Sequence, residues 1–342
     1  MKAAFVMEPG LIDVRETPAP TLGPYDALCE MLWGATCTGT DGHLIHGRFP
    51  WPVRYPTVIG HESVGRVGQV GAKVRHLRVG DLVSRVGLPA PVDGSFDVNW
   101  GGFSELGIAR DWMAMRDDGL PEAQWRGHSI NQVIPPDIDP ASATMVVTWR
   151  ETLSTITRMG LGHGASALVI GSGGNGLAFA AHARHMGAET VAMVGSAGRV
   201  ITCRATGADL ALAYSAPDTH DRLRQARPGG FDFVIDAVGK SGVANAYLPH
   251  VADGGMVTIY GVDDFGKCLL NPTRARGTFT FYQGGYEEAE THHRVIDLMR
   301  SGDLDASVWL NLAHPYALAD IAHAFADLEE RKHVKALIRL GE

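Results

Sequence analysis

The chain has 342 residues and a formal net charge of −8, with 45% hydrophobic and 20% charged residues, the balance of an ordinary globular protein. No basic cluster suits a nucleic-acid or anionic-membrane partner, and no apolar run approaches the roughly 18 residues of a membrane span. This length predicts two domains, each with its own core.

The N-terminal MKAAFVMEPG meets Pro9 and Gly10 too soon for a secretory signal, so a cytoplasmic location is expected. Short β-like runs at 3–6, 27–32, 63–67, 82–86 and 103–108 alternate with Gly/Pro turns and predict a small barrel. Pro135, Pro136, Asp137, Asp139 and Pro140 then punctuate the chain, and a helical segment starts at Ala141. From Ala167 strands at 167–170, 190–194, 210–214, 231–238, 256–260 and 278–282 alternate with alanine-rich helical stretches. That texture predicts a parallel sheet with helices on both faces. A helix at 289–300 and a strand at 334–340 are expected to return to the first domain. The expected division is therefore 1–139 with 286–342 for the barrel and 140–285 for the α/β domain. Cys29, Cys37, Cys203 and Cys268 are scattered without a C-x2-C pair, against a disulfide framework or a four-Cys zinc knuckle.

Residues 60–74, GHESVGRVGQVGAKV, place His61 and Glu62 at the head of a glycine-spaced strand segment. A histidine and a carboxylate there can hold a metal or move protons. The run G-H-E-x2-G-x5-G-x2-V resembles the signature of the medium-chain dehydrogenase/reductase superfamily, in its zinc-type alcohol and polyol dehydrogenase branch. The resemblance covers nearly the whole chain. It implies a GroES-like β-barrel catalytic domain beside a Rossmann domain, and a small-molecule alcohol or carbonyl substrate. It also implies a homodimer or homotetramer, with no nucleic-acid or membrane partner.

The segment 167–170 leads into Gly171, Ser172, Gly173, Gly174, Asn175 and Gly176, and an amphipathic helix at 177–186 follows. Strand, G-x-G-x-x-G, helix is a dinucleotide-binding context: Gly171 for the turn, Gly173 for close approach to a pyrophosphate, Gly176 for packing of helix on strand. The helix N-terminus adds free N–H groups and a positive dipole end. At the end of the next strand an Asp or Glu would bind the ribose hydroxyls of NAD. Here stand Gly195, Ser196 and Arg199, which leave room for a 2′-phosphate and offer it a hydroxyl and a guanidinium. With Tyr214 they resemble the phosphate pocket of NADP-dependent bacterial secondary alcohol dehydrogenases, so NADP(H) is expected. By the same resemblance Val238, Tyr260 and Val262 are candidates near the nicotinamide, and Asp232 and Asp236 are structural.

Relatives begin the catalytic motif with C-G-[ST]-D-x-H, in which the Cys ligates zinc, the hydroxyl carries the substrate proton, the Asp braces a ligand and the His passes the proton outward. Here the chain reads Thr36-Cys37-Thr38-Gly39-Thr40-Asp41-Gly42-His43. Aligned from the right, Thr40, Asp41 and His43 fit, and Thr38 falls at the Cys position. Aligned from the left, Cys37 fits and one residue is inserted. Both alignments stay open. A threonine is a poor zinc ligand, so any zinc requires Cys37. Alcohol dehydrogenases supply a further ligand about 25 residues before the cofactor loop, where this chain has Val146 and Val147. Polyol dehydrogenases use Cys, His and the following Glu, a set that Cys37, His61 and Glu62 would reproduce. No cysteine lies between Ser84 and Gly102, so no structural zinc is expected.

By the resemblance Trp51, Phe96, Trp100 and Trp149 line the substrate cleft and suggest a bulky, apolar or cyclic substrate. Arg150 and Glu151 read as a helix-start ion pair, with a substrate clamp as the other reading. His46, His163, His182 and His185 read as solvated. Three functions fit. The first is an NADP(H)-dependent alcohol dehydrogenase or ketone reductase, zinc-assisted through Cys37, His61 and Glu62 with Thr40 and His43 as relay. The second is a zinc-independent NADPH reductase of an activated C=C or C=O bond, with Thr40 or His61 as acid. The third is a non-catalytic NADPH-binding protein, against which the retained Thr40, Asp41 and His43 argue.

Overall fold

The short apolar runs of the first hundred residues become paired strands. A computed structural model, which describes residues 1–341, divides the chain into two units, 1–147 with 288–342 and 148–287. The first boundary falls inside a helix, at a point that the proline-rich 135–140 stretch does not mark.

The first unit opens with β1 (Lys2–Glu8), β2 (Leu11–Glu16), β3 (Asp26–Ala35), α1 (Thr40–Ile45), β4 (Thr57–Val58), β5 (Glu62–Val70), β6 (Leu82–Ser84), β7 (Asp97–Val98) and β8 (Leu106–Arg110). α2 (Trp112–Asp117), α3 (Glu122–Trp125) and β9 (Val133–Ile134) complete this stretch. One sheet has the order β2-β1-β4-β7. Its neighbour is built on β3, whose ten residues pair with both β5 and β8. Apolar side chains from these strands, Ala4, Met31, Val67 and Val83 among them, close the core together with Phe103 from the segment before β8. The strand expected at 82–86 stops at Ser84 because Arg85 turns into the left-handed region with φ 63°. The one expected at 103–108 begins at Leu106.

The second unit takes up α4 (Val146–Arg158) and then β10 (Ser166–Ile170), α5 (Gly174–His185), β11 (Thr190–Gly195), α6 (Val200–Ala205) and β12 (Leu210–Ala213). α7 (Thr219–Ala226), β13 (Phe231–Asp236), α8 (Val243–Tyr247), β14 (Val251–Ile259) and β15 (Phe279–Tyr282) follow. All neighbouring strands pair in parallel, in the order β12-β11-β10-β13-β14-β15. Numbered within the sheet this is 3-2-1-4-5-6, the doubly wound order whose switch point lies between β10 and β13. The buried strand residues form near-continuous apolar runs, as a sheet covered on both faces requires.

The chain then returns to the first unit through α9 (His292–Ser301), β16 (Tyr316–Ala317), α10 (Ile321–Glu329) and β17 (Leu337–Arg339). β17 joins the β3 sheet, giving β16-β17-β3-β5-β6-β9 with β8 on β3. The expected pairing of a GroES-like barrel with a doubly wound parallel sheet is thus what the chain forms. Among the described residues no helix is long and apolar enough to cross a membrane.

Candidate active site

Register brings the barrel residues together. Ala35, the last residue of β3, lies opposite Glu62 on β5 and Leu337 on β17. The residues just beyond this shared end are Cys37 after β3, His61 before β5 and Lys335 before β17. All three are buried. The Cys37 thiol, the His61 imidazole and a Glu62 carboxylate oxygen lie within 4.8 Å of one another. Cys37, and not the exposed Thr38, faces His61, which corresponds to the left-hand alignment with one residue inserted.

α1 carries the other candidates. Thr40 is its first residue, with Oγ1 3.7 Å from Cys37 Sγ. Asp41 is fully buried; its Oδ2 accepts from the Cys37 N–H at 2.8 Å and its Oδ1 lies 3.4 Å from His61 Nδ1. Asp41 therefore ties the Cys37 backbone to the His61 ring. Burial by itself would push the His61 imidazolium down, but Asp41 and Cys37 outweigh it and raise its pKa to about 10. His43 is buried on the same helix and donates from Nδ1 to the Gly39 carbonyl, which leaves Nε2 as its basic nitrogen. His46 pairs with Glu329 at 2.8 Å.

Lys335 was missed in the sequence. Its Nζ donates to both Glu62 oxygens at 2.6 Å and to the Thr36 carbonyl at 3.2 Å. The signal available was a lysine inside the apolar run Val334-Lys335-Ala336-Leu337-Ile338, since a buried ammonium needs an anion. Desolvation would lower the Lys335 pKa, but Glu62 leads the neighbouring charges that hold it above the usual lysine range.

Thiol, imidazole and carboxylate form a donor set suited to zinc. The donors fit in kind and in spacing, and Glu62 would ligate a metal at the expense of one of the two hydrogen bonds it accepts from Lys335. Val146 and Val147, fully buried and apolar, offer no further ligand. Among the described residues the segment from Ser84 to Gly102 contains no cysteine for a second site.

In the second unit the carboxyl ends of the parallel strands gather the cofactor candidates. Gly171 has φ 111°, Gly173 is the N-cap of α5, and Gly174, Asn175 and Gly176 form its first turn. A Cβ on Gly176 would lie 2.0 Å from the Gly171 carbonyl oxygen, so only glycine lets α5 start this close to β10. At the end of β11 the Ser196 N–H donates to Ser172 Oγ at 3.0 Å. The Tyr214 N–H donates to the Gly195 carbonyl at 2.9 Å, and the Arg199 N–H to the Ser196 carbonyl at 2.9 Å. Gly195, Ser196, Arg199 and Tyr214 thus share one rim, and no carboxylate stands among them. Val238 follows β13 and packs on the Gly171 turn; the Asp263 N–H, next to Val262, donates to its carbonyl at 3.4 Å. Tyr260 packs edge-on against Phe179 of α5. Asp232 accepts from Ser166, and Asp236 from the Val238 and Gly239 amides.

Several expectations change. Trp149 has no exposed surface, whereas Trp51 and Trp100 of the barrel are exposed; Phe96 is half-buried and meets Phe5 edge-on. His182 is fully buried, not solvated: α5 is covered from Leu177 to Ala183, both faces included. Arg150 and Glu151 are buried in α4, and Glu151 accepts from the Tyr260 hydroxyl at 3.0 Å.

Comparison with known proteins gives a consistent result. Residues 23–120 match the family model "Alcohol dehydrogenase GroES-like domain" and 174–296 match "Zinc-binding dehydrogenase", together more than half of the chain. An alcohol dehydrogenase of Cupriavidus necator is 27% identical, over 95% of this chain and 94% of its own. An L-threonine 3-dehydrogenase of Streptomyces coelicolor is 28% identical, over 97% and 96%. The solved alcohol dehydrogenase of Thermus sp. ATN1 superposes with a TM-score of 0.81 at 23% identity, covering 99% of each chain.

Proposed function

Because the chain belongs to the medium-chain dehydrogenase/reductase superfamily, in its zinc-type alcohol dehydrogenase branch, and is an oxidoreductase acting on CH–OH groups, we propose an NADP(H)-dependent alcohol dehydrogenase or ketone reductase. Its substrate is a bulky, apolar or cyclic alcohol or carbonyl compound, and it works as a homodimer or homotetramer. Cys37, His61 and Glu62 would hold zinc, whose chemistry when bound is to polarise the substrate oxygen. The observation that carries this reading is the convergence of those three donors at one end of β3 and β5, braced by Asp41.

The residues of the chain then divide the work. The Thr40 hydroxyl, beside the Cys37 thiol, takes up or returns the substrate proton, and His43 exchanges it through Nε2. Asp41 holds the His61 ring in orientation. In the second unit the Gly171–Gly176 turn and the α5 N-terminus receive the pyrophosphate, and Ser196, Arg199 and Tyr214 receive the 2′-phosphate. Val238, Tyr260 and Val262 line the nicotinamide end.

The zinc-independent reductase remains a second reading, favoured by the two hydrogen bonds that Lys335 donates to Glu62 and by the apolar Val146 and Val147. Metal analysis of the purified protein separates the two. The first reading expects about one zinc per chain and turnover that a chelator abolishes. Less than about a tenth of a zinc, with turnover that survives the chelator, selects the second.

A further inference from the structure

Of the three non-glycine residues with left-handed backbone among the described residues of the first unit, Arg85 and Trp100 meet at His61. Arg85 has φ 63° and Trp100 has φ 66°. Such conformations are uncommon outside glycine and cluster where the surrounding structure imposes a geometry. The surroundings of Arg85 do so. Its N–H donates to the Ser63 carbonyl at 2.8 Å, and its own carbonyl accepts from the Asn131 side chain at 2.9 Å. The turn sends the guanidinium inward. Nη1 donates to the His61 carbonyl at 3.0 Å, and Nη2 pairs with Glu288 at 2.9 Å, with the two side chains 8% and 4% exposed.

Trp100 closes over the same histidine. Its indole lies 5.2 Å from the His61 imidazole, ring centre to ring centre, and 5.9 Å from the Arg85 guanidinium carbon. The backbone is locked as well. A Cβ on Gly87 would fall 1.9 Å from the Trp100 carbonyl oxygen, and the Leu88 N–H donates to the Gly101 carbonyl at 3.1 Å. Trp100 still exposes 39% of its surface. Phe49 meets it edge-on at 6.1 Å, and Trp51 packs on Phe49 at 5.1 Å.

We propose that Arg85 and Glu288 form a buried clamp that positions His61 and fixes the Trp100 indole as the stacking wall for a planar ring of the alcohol substrate. Arg85 is a positioning residue, and Trp100 determines specificity. The guanidinium suits the first role because one rigid fork serves the His61 carbonyl, the Glu288 carboxylate and the indole together. An indole held this way gains more from a flat unsaturated ring than from a saturated ring of equal size, because offset stacking adds to apolar burial. This deepens the alcohol dehydrogenase reading and rests on it.

The test is steady-state kinetics of the holoenzyme on a size-matched pair, benzyl alcohol and cyclohexylmethanol, in wild type, R85Q, R85K, E288Q, W100L and R85Q/W100L. The wild type should prefer benzyl alcohol at least about fivefold in kcat/KM, expressed in KM. W100L and R85Q should each erase that preference by losing more kcat/KM on benzyl alcohol than on cyclohexylmethanol, and the double variant should add nothing further. R85K, which keeps the cation, should retain most of the preference. Independently of turnover, R85Q should release zinc to a chromogenic chelator at least about threefold faster than wild type. Equal losses on both alcohols, or effects of R85Q and W100L that multiply, would overturn the proposal, as would unchanged zinc release. If R85Q does not fold, E288Q replaces it with the same expected outcomes. A wild type that turns over both alcohols without preference ends this inference alone. One that turns over no alcohol or carbonyl ends the functional reading with it.

Discussion

Among single residues, Lys335 and Glu62 decide how the barrel site behaves without metal. Their ion pair is almost wholly buried, so removing one partner strands the other charge. Lys335→Met should cost the metal-free protein about 3–5 kcal/mol in denaturant unfolding. Zinc should return part of that loss by giving Glu62 a new cation. A loss below about 1 kcal/mol, or no response to zinc, would mean that the pair does not carry the site's charge balance. Arg199 makes the corresponding case for the cofactor. Arg199→Ala should weaken NADP binding by about 1.5–3 kcal/mol, the range of a charge-assisted hydrogen bond, and leave NAD nearly unchanged by calorimetry. Equal losses for both nucleotides would place the phosphate elsewhere. Residue chemistry was legible in the sequence where it is local: His61-Glu62 and Thr40-Asp41-x-His43 each lie within a few positions. Lys335 was not, because it meets Glu62 across 273 residues of chain through the β17–β3–β5 register.

At the scale of elements, the loop from β10 into α5 was legible because its geometry follows from the glycine spacing alone. Gly176→Ala should raise the Kd of NADP and NAD alike by at least about tenfold, an overpacking cost of about 1–3 kcal/mol. An unaltered Kd would show that the helix start yields to the added methyl. Arg85 was not legible: its run reads as strand to Val86, and the left-handed turn is held by distant partners, Ser63 and Asn131 on its backbone and Glu288 and the His61 carbonyl on its side chain. His182 was misread because α5 is buried on both sides and so lacks a wet face. A histidine pair links α7 to the start of β14. His250 is buried, stacks on His220 and shares a 2.8 Å hydrogen bond with it. Burial first, then His220, Arg224 and Arg276, hold its pKa down to about 4. The folded value lies below the ordinary histidine value of about 6.5, so this contribution is complete above that pH and is lost as pH falls through 4. The loss should be about 1–2 kcal/mol, discounted for the exposed partner. Thermal melts from pH 7 to pH 4 should show a flatter acid limb for His250→Asn than for wild type; parallel limbs would contradict this.

For the molecule as a whole, composition and the change from barrel-like to alternating texture foretold a barrel and a doubly wound sheet. The 3-2-1-4-5-6 strand order was not readable, since it depends on which helix crosses which face. Nor was the choice between Cys37 and Thr38, which the inserted residue leaves balanced until β3 fixes where the loop leaves the sheet. The zinc account depends on that placement. The most direct measurement is a crystal of the NADP complex with anomalous data collected at the zinc edge. The account predicts a peak within bonding distance of Cys37 Sγ, a His61 ring nitrogen and Glu62, with Lys335 reduced to one bond to that carboxylate. A map with no peak there, and Lys335 still holding both Glu62 oxygens, would contradict it.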